Sequence, residues 1–258
     1  MEEIIVIAFG LVIGSFLNVV IYRLPRGESI VYPPSHCPNC EKEIKPYDNI
    51  PVISYIILGG KCRYCKAKIS IRYFLIEILT ALVFLIMYLN FKDNIIYCIF
   101  SIIFFSIMII LAFIDFEHMI LPDELTLGGA VLFFVYSFFN PYLSTKESIT
   151  AGIGGALFFA LLYFFYLKVR KIEALGFGDV KMMLMIGFFL GIKKTIIMVF
   201  ISSFLGLIVG LFFIIFKKKT MQFAMPFGTF LSIGSLLSFL YSEKIFNLLI
   251  NLTSFLRN

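Results

Sequence analysis

Tryptophan is absent from the 258 residues, histidine occurs twice, and only 15% of the side chains are charged. A soluble domain carries about 25% charged residues, so the deficit excludes an ordinary soluble fold. The motif H-E-x-x-H is missing, and His36 and His118 do not stand at ligand spacing, which removes the zinc-metalloprotease class. No glycine-rich turn of the dinucleotide-binding type occurs either. Outside the loops that flank apolar runs, no segment interleaves basic and aromatic residues. The net charge of +6 therefore does not argue for nucleic acid as a partner. The amino terminus lacks a basic leader and a small-residue cleavage site. Met1-Glu2-Glu3 is followed by Ile4–Ile21 and then by Tyr22-Arg23-Leu24-Pro25-Arg26, which reads as a retained first span.

What is present is hydrocarbon: 60% of the residues are apolar and the mean hydropathy is +0.99. Apolar runs of about 18–20 residues suit a bilayer core. They fall near 4–22, 73–90, 95–114, 125–140, 147–167, 180–192, 195–216 and 226–241. The prediction is an all-α polytopic membrane protein with about eight transmembrane helices, embedded in a lipid bilayer. Residues 243–258 either continue the last span or lie in the interface. One long polar segment interrupts the pattern. The expected division is thus 1–22, a first span; 23–72, a subdomain; and 73–258, the main transmembrane domain. Lys and Arg concentrate on the inner side of membranes. With the N-terminus outside, sixteen of the 22 fall in inner loops and six in outer ones, among them Lys217-Lys218-Lys219 inside and Lys193-Lys194 outside. That orientation places residues 23–72 on the cytoplasmic side of an inner membrane.

The polar segment holds four of the five cysteines, as Cys37-Pro38-Asn39-Cys40 and Cys62-Arg63-Tyr64-Cys65. Two C-x-x-C knuckles at this separation form a tetrahedral thiolate site for Zn²⁺. Four thiolates leave no open coordination position, so Cys37, Cys40, Cys62 and Cys65 predict a structural ion in a zinc-ribbon-like insert between the first two spans. A redox pair or disulfides are the alternatives if the orientation is inverted. Cys98 lies in an apolar run and reads as core.

Two acidic residues sit where hydrocarbon is expected. Asp115 ends the run Ile95–Ile114. Asp179 opens the run Val180–Leu190 within Gly176-Phe177-Gly178-Asp179-Val180-Lys181. An ionisable group in a membrane span costs at least ~2.5 kcal/mol. Two carboxylates on separate helices that meet are minimum equipment for acid–base hydrolysis of a peptide bond. Both fall on the cytoplasmic face in the topology above. By the dipoles of their own helices, Asp179 at a helix start is better placed for the charge and Asp115 at a helix end for the proton. Asp123 reads as a helix cap.

With these residues in view, the chain resembles the type IV prepilin peptidases, of the GxGD aspartyl membrane protease class. The match runs through Gly14-Ser15-Phe16-Leu17-Asn18-Val19-Val20-Ile21-Tyr22-Arg23-Leu24-Pro25, Pro34-Ser35-His36-Cys37-Pro38-Asn39-Cys40, Asn49-Ile50-Pro51-Val52-Ile53-Ser54-Tyr55, Gly60-Lys61-Cys62-Arg63-Tyr64-Cys65, Ile71-Arg72-Tyr73 with Glu77, and Pro226-Phe227-Gly228. Two departures stand out: Glu173-Ala174 where the family often has Glu-Gly, and Thr229 where it often has Pro. The resemblance implies Asp115 and Asp179 as catalytic residues. It implies cleavage of prepilin or pseudopilin leaders, followed by methylation of the new N-terminus with S-adenosyl-L-methionine. Glu117, Glu173 and Lys181 are then candidates for substrate binding, against solvated or ion-paired interface roles. Arg72 and Glu77 mark a candidate methyltransferase region on the resemblance alone. A proton-coupled transporter and a zinc-subdomain scaffold are the competing functions. The former expects repeated halves, which the sequence does not show clearly.

Overall fold

The computed structural model describes residues 1–171, 175–217 and 225–257. Its helices are α1 (Glu2–Arg23), α2 (Ile53–Ile57), α3 (Ile71–Phe91), α4 (Ile95–His118), α5 (Asp123–Tyr136), α6 (Thr145–Phe165), α7 (Phe177–Lys217) and α8 (Phe227–Arg257). Among the described residues there is no strand, only two isolated β-bridges in the polar segment. Serines start two of the helices. Ser70 accepts the Arg72 amide before α3, and Ser144 accepts the Glu147 amide before α6. Five of the helices, α1, α3, α4, α6 and α7, are long and apolar enough to cross a membrane. At 14 residues, α5 is about 21 Å long, short of a hydrocarbon core of about 30 Å.

The chain forms two compact units, Met1–Ile110 and Leu111–Asn258. In the first, α1 packs on α3 through Gly10 and Gly14, one helical turn apart. A methyl group on Gly10 would lie 2.7 Å from the Ala81 Cα, and one on Gly14 would lie 2.7 Å from the Glu77 Cα. Lipid removes the hydrophobic drive for helices to associate, so close backbone approach at small residues has to supply the contact. The polar segment rises between these two helices. The buried Arg23 guanidinium holds its first loop, donating to the carbonyls of Ser29 (3.0 Å) and Pro33 (2.7 Å).

In the second unit, the expected spans 180–192 and 195–216 occur as two arms of α7. The separation is not at Lys193-Lys194, as the charges suggested, but at Gly191, whose φ of 75° and ψ of 175° break the helix. A straight helix of this length would measure about 60 Å. It reverses instead: the Phe239 ring meets both Phe189, at 5.7 Å between centroids, and the Lys194 ammonium, at 4.5 Å. The first arm runs against α6, with Tyr163 on Phe177 at one end and the Ser148 hydroxyl donating to the Phe188 carbonyl at the other. The second arm runs back against α8, from the Ser238–Lys194 carbonyl bond (2.6 Å), through Ser202–Phe230 (2.9 Å), to Met225 beside Gly210. Gly191 takes a positive φ that side chains rarely adopt, and a methyl group there would fall 2.4 Å from the Leu143 Cδ1 and push that side chain aside.

Gly14→Ala should lower the stability of the detergent-solubilised protein by about 1–3 kcal/mol through overpacking against α3. Gly154→Ala, whose new methyl group meets nothing within 4 Å, should keep or slightly raise the thermal stability, since Ala favours a helix interior over Gly. Equal effects of the two would show that the α1–α3 contact is looser than described.

Candidate active site and metal centre

The four thiols converge. The sulfurs of Cys37, Cys40, Cys62 and Cys65 all lie within 4.8 Å of one another, with Cys37–Cys65 at 3.8 Å and Cys40–Cys62 at 4.0 Å. A tetrahedron with metal–sulfur bonds of about 2.3 Å has edges of about 3.8 Å. A disulfide would need about 2.05 Å, and all the cysteines are free. The donor set and its spacing therefore fit a tetrahedral metal ion.

The two knuckles are built alike, residue for residue. Cys37 N donates to Lys42 O and Cys62 N to Ala67 O. Glu41 N donates to Cys37 O and Lys66 N to Cys62 O. Glu41 and Lys66 both take positive φ, and the bridges His36–Glu43 and Lys61–Lys68 close the two hairpins in the same register. His36 thus serves a hairpin and not the metal cluster. The Ala67 amide, and then the Asn39 side chain, hold the Cys65 thiol down at about 6, so it is a ready thiolate ligand at neutral pH. Arg63 clamps Asp48 with two bonds of 2.7 and 2.6 Å, which ties the second knuckle to the chain between the pair.

Asp115 occupies the last turn of α4 and Asp179 the first turn of α7, and each is only 5% exposed. The first amides of a helix have no partner within it, and both carboxylates exploit this. Asp179 is the third residue of α7. Its Oδ2 accepts from Gly176 N at 3.2 Å while its own amide donates to Gly176 O at 3.1 Å, a reciprocal capping arrangement.

Asp115 is gripped by the start of α8. Its Oδ2 accepts from Thr229 N at 2.8 Å, and the Thr229 hydroxyl lies 3.3 Å from the same oxygen and 2.9 Å from Ala112 O. Gly228 admits the approach, since a methyl group on it would stand 3.0 Å from that Oδ2. The dipole of α4 alone disfavours charge on Asp115. The N-terminus of α8 works in the opposite direction, and the asymmetry expected from each residue's own helix loses its basis. Where the family pattern often has proline, this chain has Thr229, which supplies an N–H that proline lacks.

Leu121 joins the two turns. A methyl group on Gly178 would lie 2.9 Å from the Leu121 Cβ, and one on Gly228 would lie 3.1 Å from its Cδ2. One side chain therefore touches the glycine beside each aspartate, and Asp115 and Asp179 are near enough for their charges to interact. Both sit at the end of the unit marked by Tyr163 and Phe177, away from Gly191.

The remaining sequence candidates separate. Lys181 forms an ion pair with Asp123 at 2.6 and 2.9 Å. Asp123 is not the cap of α5: Pro122 takes that position and Asp123 is the first helical residue, turned to Lys181. Glu117 is exposed on the last turn of α4, and Glu173 lies outside the described residues, as do Lys218 and Lys219. Arg72 and Glu77 belong to α3 of the first unit, where Glu77 is buried and accepts the Val52 amide at 2.7 Å. Leu121 was not a candidate in the sequence, and Thr229 stood out only as a departure from the family pattern expected to leave the aspartates untouched, whereas its amide donates to Asp115 at 2.8 Å. A threonine after Pro-Phe-Gly and a leucine before Pro122 carry no mark of their own.

Two family models match the chain: the bacterial peptidase A24 N-terminal domain over residues 8–91 and the type IV leader peptidase family over residues 102–211. A prepilin leader peptidase/N-methyltransferase of Dichelobacter nodosus is 34% identical, the match covering 92% of this chain and 91% of that protein. Its namesake in Legionella pneumophila is 33% identical over 93% of this chain and 91% of its own length. No solved structure matches. The chain belongs to the type IV leader peptidase family, and it is a multi-pass membrane peptidase.

Metal analysis of the purified protein should find one tightly held ion per chain. Cys62→Ser should lose it, because three thiolates and a hydroxyl make a poorer set for a soft-ligand site. Retention of the full metal content by Cys62→Ser would show that the ion is held elsewhere.

Proposed function

We propose that this enzyme removes the leader peptides of type IV prepilins or pseudopilins at the cytoplasmic face of the inner membrane, with Asp115 and Asp179 as the catalytic pair. It then methylates the new amino terminus. The observation that carries the reading is a pair of buried carboxylates, one on α4 and one on α7, whose neighbouring glycine turns share Leu121 and whose charges interact. Family membership points the same way, as do relatives named for both activities. Eight passes follow if the two arms of α7 are counted separately and the short α5, as well as α8, is counted with the other long helices. The two passes between the aspartates, α5 and α6, then return Asp179 to the side of Asp115, which holds most of the Lys and Arg.

Two neighbouring carboxyls share one proton more cheaply than both ionise. Asp115, which accepts from the Thr229 amide and lies 3.3 Å from its hydroxyl, acts as the carboxylate that takes a proton from the attacking water. Asp179, whose side chain accepts from Gly176 N, is the acid that hydrogen-bonds the scissile carbonyl and later protonates the leaving amine. The titration belongs to the pair, so these roles describe one microstate of it. The ion in the four-cysteine lobe is zinc and structural: all four positions are filled by sulfur, which leaves none for substrate. Glu117 on the exposed last turn of α4 attracts the basic leader, and Glu173 is assigned the same part. Lys181 fixes α5 to α7 and is not a substrate contact.

Asp115→Asn and Asp179→Asn should each lower cleavage of a prepilin in detergent on the order of 10³-fold, with the metal content unchanged. Substantial cleavage by either variant would remove the dyad. Thr229→Val keeps the backbone donor and the side-chain shape but loses the hydroxyl. It should lower kcat about tenfold, the scale of one hydrogen bond to a charged group, with KM and Tm little altered. An unchanged kcat would show that the hydroxyl serves only Ala112.

A further inference from the structure

The polar segment does not stop where the helices that carry it become apolar. In the first unit α1 and α3 run antiparallel, with Gly10 against Ala81 and Gly14 against Glu77. Glu77 therefore marks a level nine residues inside the end of α1, about 14 Å at 1.5 Å per residue. The start of α2 is tied to that level. Glu77 Oε2 accepts from Val52 N at 2.7 Å, and the Tyr55 ring meets Phe74 of α3 at 5.3 Å. Ser54 is buried, and its hydroxyl donates to Tyr47 O at 3.0 Å. With Ser54 and Tyr55 turned inward, the three isoleucines of α2 are left outside. Ile53, Ile56 and Ile57 are all more than half exposed, Ile57 at 74%.

A second piece of the segment does the same on α1. Gly27, at φ 68°, turns the chain back, and the buried Arg23 guanidinium holds the carbonyls of Ser29 and Pro33. Between those two anchors Ile30-Val31-Tyr32 forms an apolar tip, with Val31 86% and Tyr32 75% exposed. Ile30 and Val31 share a cleft of about 300 Å³ with Val12, Phe16 and Val19 of α1. Val12 lies eleven residues before Arg23, in the middle of a helix apolar enough to cross a membrane. Pro51, just ahead of α2, lines the same cleft, so both apolar pieces flank one stretch of α1.

We propose that α2 and the Ile30–Tyr32 tip insert into the phospholipid leaflet on the lobe's own side, their apolar side chains among the upper acyl chains and the lobe's lysines over anionic headgroups. Three observations select lipid as the occupant. Both pieces lie level with the apolar part of α1 and α3, so their outer faces continue the lipid-facing surface of those helices. Six large apolar side chains standing out from a polar segment mark a contact surface, and a short element with apolar residues on its outer side suits the boundary between headgroups and chains. Residues 23–72 carry nine Lys and Arg against four Asp and Glu, and Lys42, Lys45, Lys61, Lys66 and Lys68 are exposed. A leaflet of anionic lipid is the surface that attracts such an excess. The four-cysteine lobe is then held by lipid as well as by its two helical tethers.

The chain has no tryptophan, so one placed by substitution reports alone. The full-length, metal-replete protein carrying Ile57→Trp, Val31→Trp or Tyr64→Trp is reconstituted into vesicles of phosphatidylcholine and phosphatidylglycerol. Phosphatidylcholine brominated high on its acyl chains is one quencher, and acrylamide in the water is the other. Tyr64 belongs to the second knuckle, where its ring meets the Lys42 ammonium, and serves as the aqueous reference. Ile57→Trp and Val31→Trp should each lose about half of their emission to bromine and little to acrylamide, as expected at the headgroup–chain boundary. Tyr64→Trp should show the reverse. All three positions are exposed, and a retained metal content reports that each lobe has folded. At either test position, emission that acrylamide quenches and bromine does not would put that piece in water. Emission shielded from both quenchers would show that protein covers it. Equal bromine quenching at all three positions would show no dependence on depth. Each of these results overturns the proposal.

Discussion

A carboxylate at the end of a hydrophobic helix has to be met by donors from some other element. In the second unit this requirement is answered by the start of α8. Thr229 brings its amide and its hydroxyl to one oxygen of Asp115, and Gly228 lets that oxygen come within contact distance of the main chain. That contact ties the start of α8 to the end of α4, with Leu121 packed against the glycine turns beside both aspartates. A side chain on Gly228 would displace the acid, and one on Gly178 would displace the leucine that holds the second turn against the first.

The same economy runs through the rest of the molecule. Where lipid gives helices no reason to associate, contact has to come from close approach and from hydrogen bonds between helices. Gly10 and Gly14 bring α1 onto α3, and Gly152 and Gly187 bring α6 onto the first arm of α7. Serine hydroxyls then reach across: Ser148 to the Phe188 carbonyl, Ser202 to that of Phe230 and Ser238 to that of Lys194. The aspartates are held on a scaffold tightened by residues with almost no side chain.

Much of this was legible in the chain. The thiolate cluster followed from spacing, because a C-x-x-C knuckle constrains its own geometry. The helix positions of Asp115 and Asp179 followed from where the apolar runs stop and start. Other features depend on partners remote in sequence and leave no local trace. Asp123 looked like a cap because acids favour helix starts, but a lysine 58 positions later claims it. The break in α7 was sought at the charged pair Lys193-Lys194, whereas a glycine in an apolar run, three residues earlier than Lys194, allows the turn. The second donor set on Asp115 could not be read because nothing in Pro226-Phe227-Gly228-Thr229 announces what it faces.

The reversal at Gly191 bears on how the protein is made. A pair of apolar arms joined through a single residue has no soluble connection between them, so the pair would enter a bilayer as one folded-over piece. On the topology proposed above, only Lys193 and Lys194 would have to be carried to the far side; in the fold both meet aromatic faces, Lys193 on Phe246 and Lys194 on Phe239. The cost of transporting charge through hydrocarbon during biogenesis is thereby confined to two ammonium groups, and no loop between the arms is left for a protease to reach.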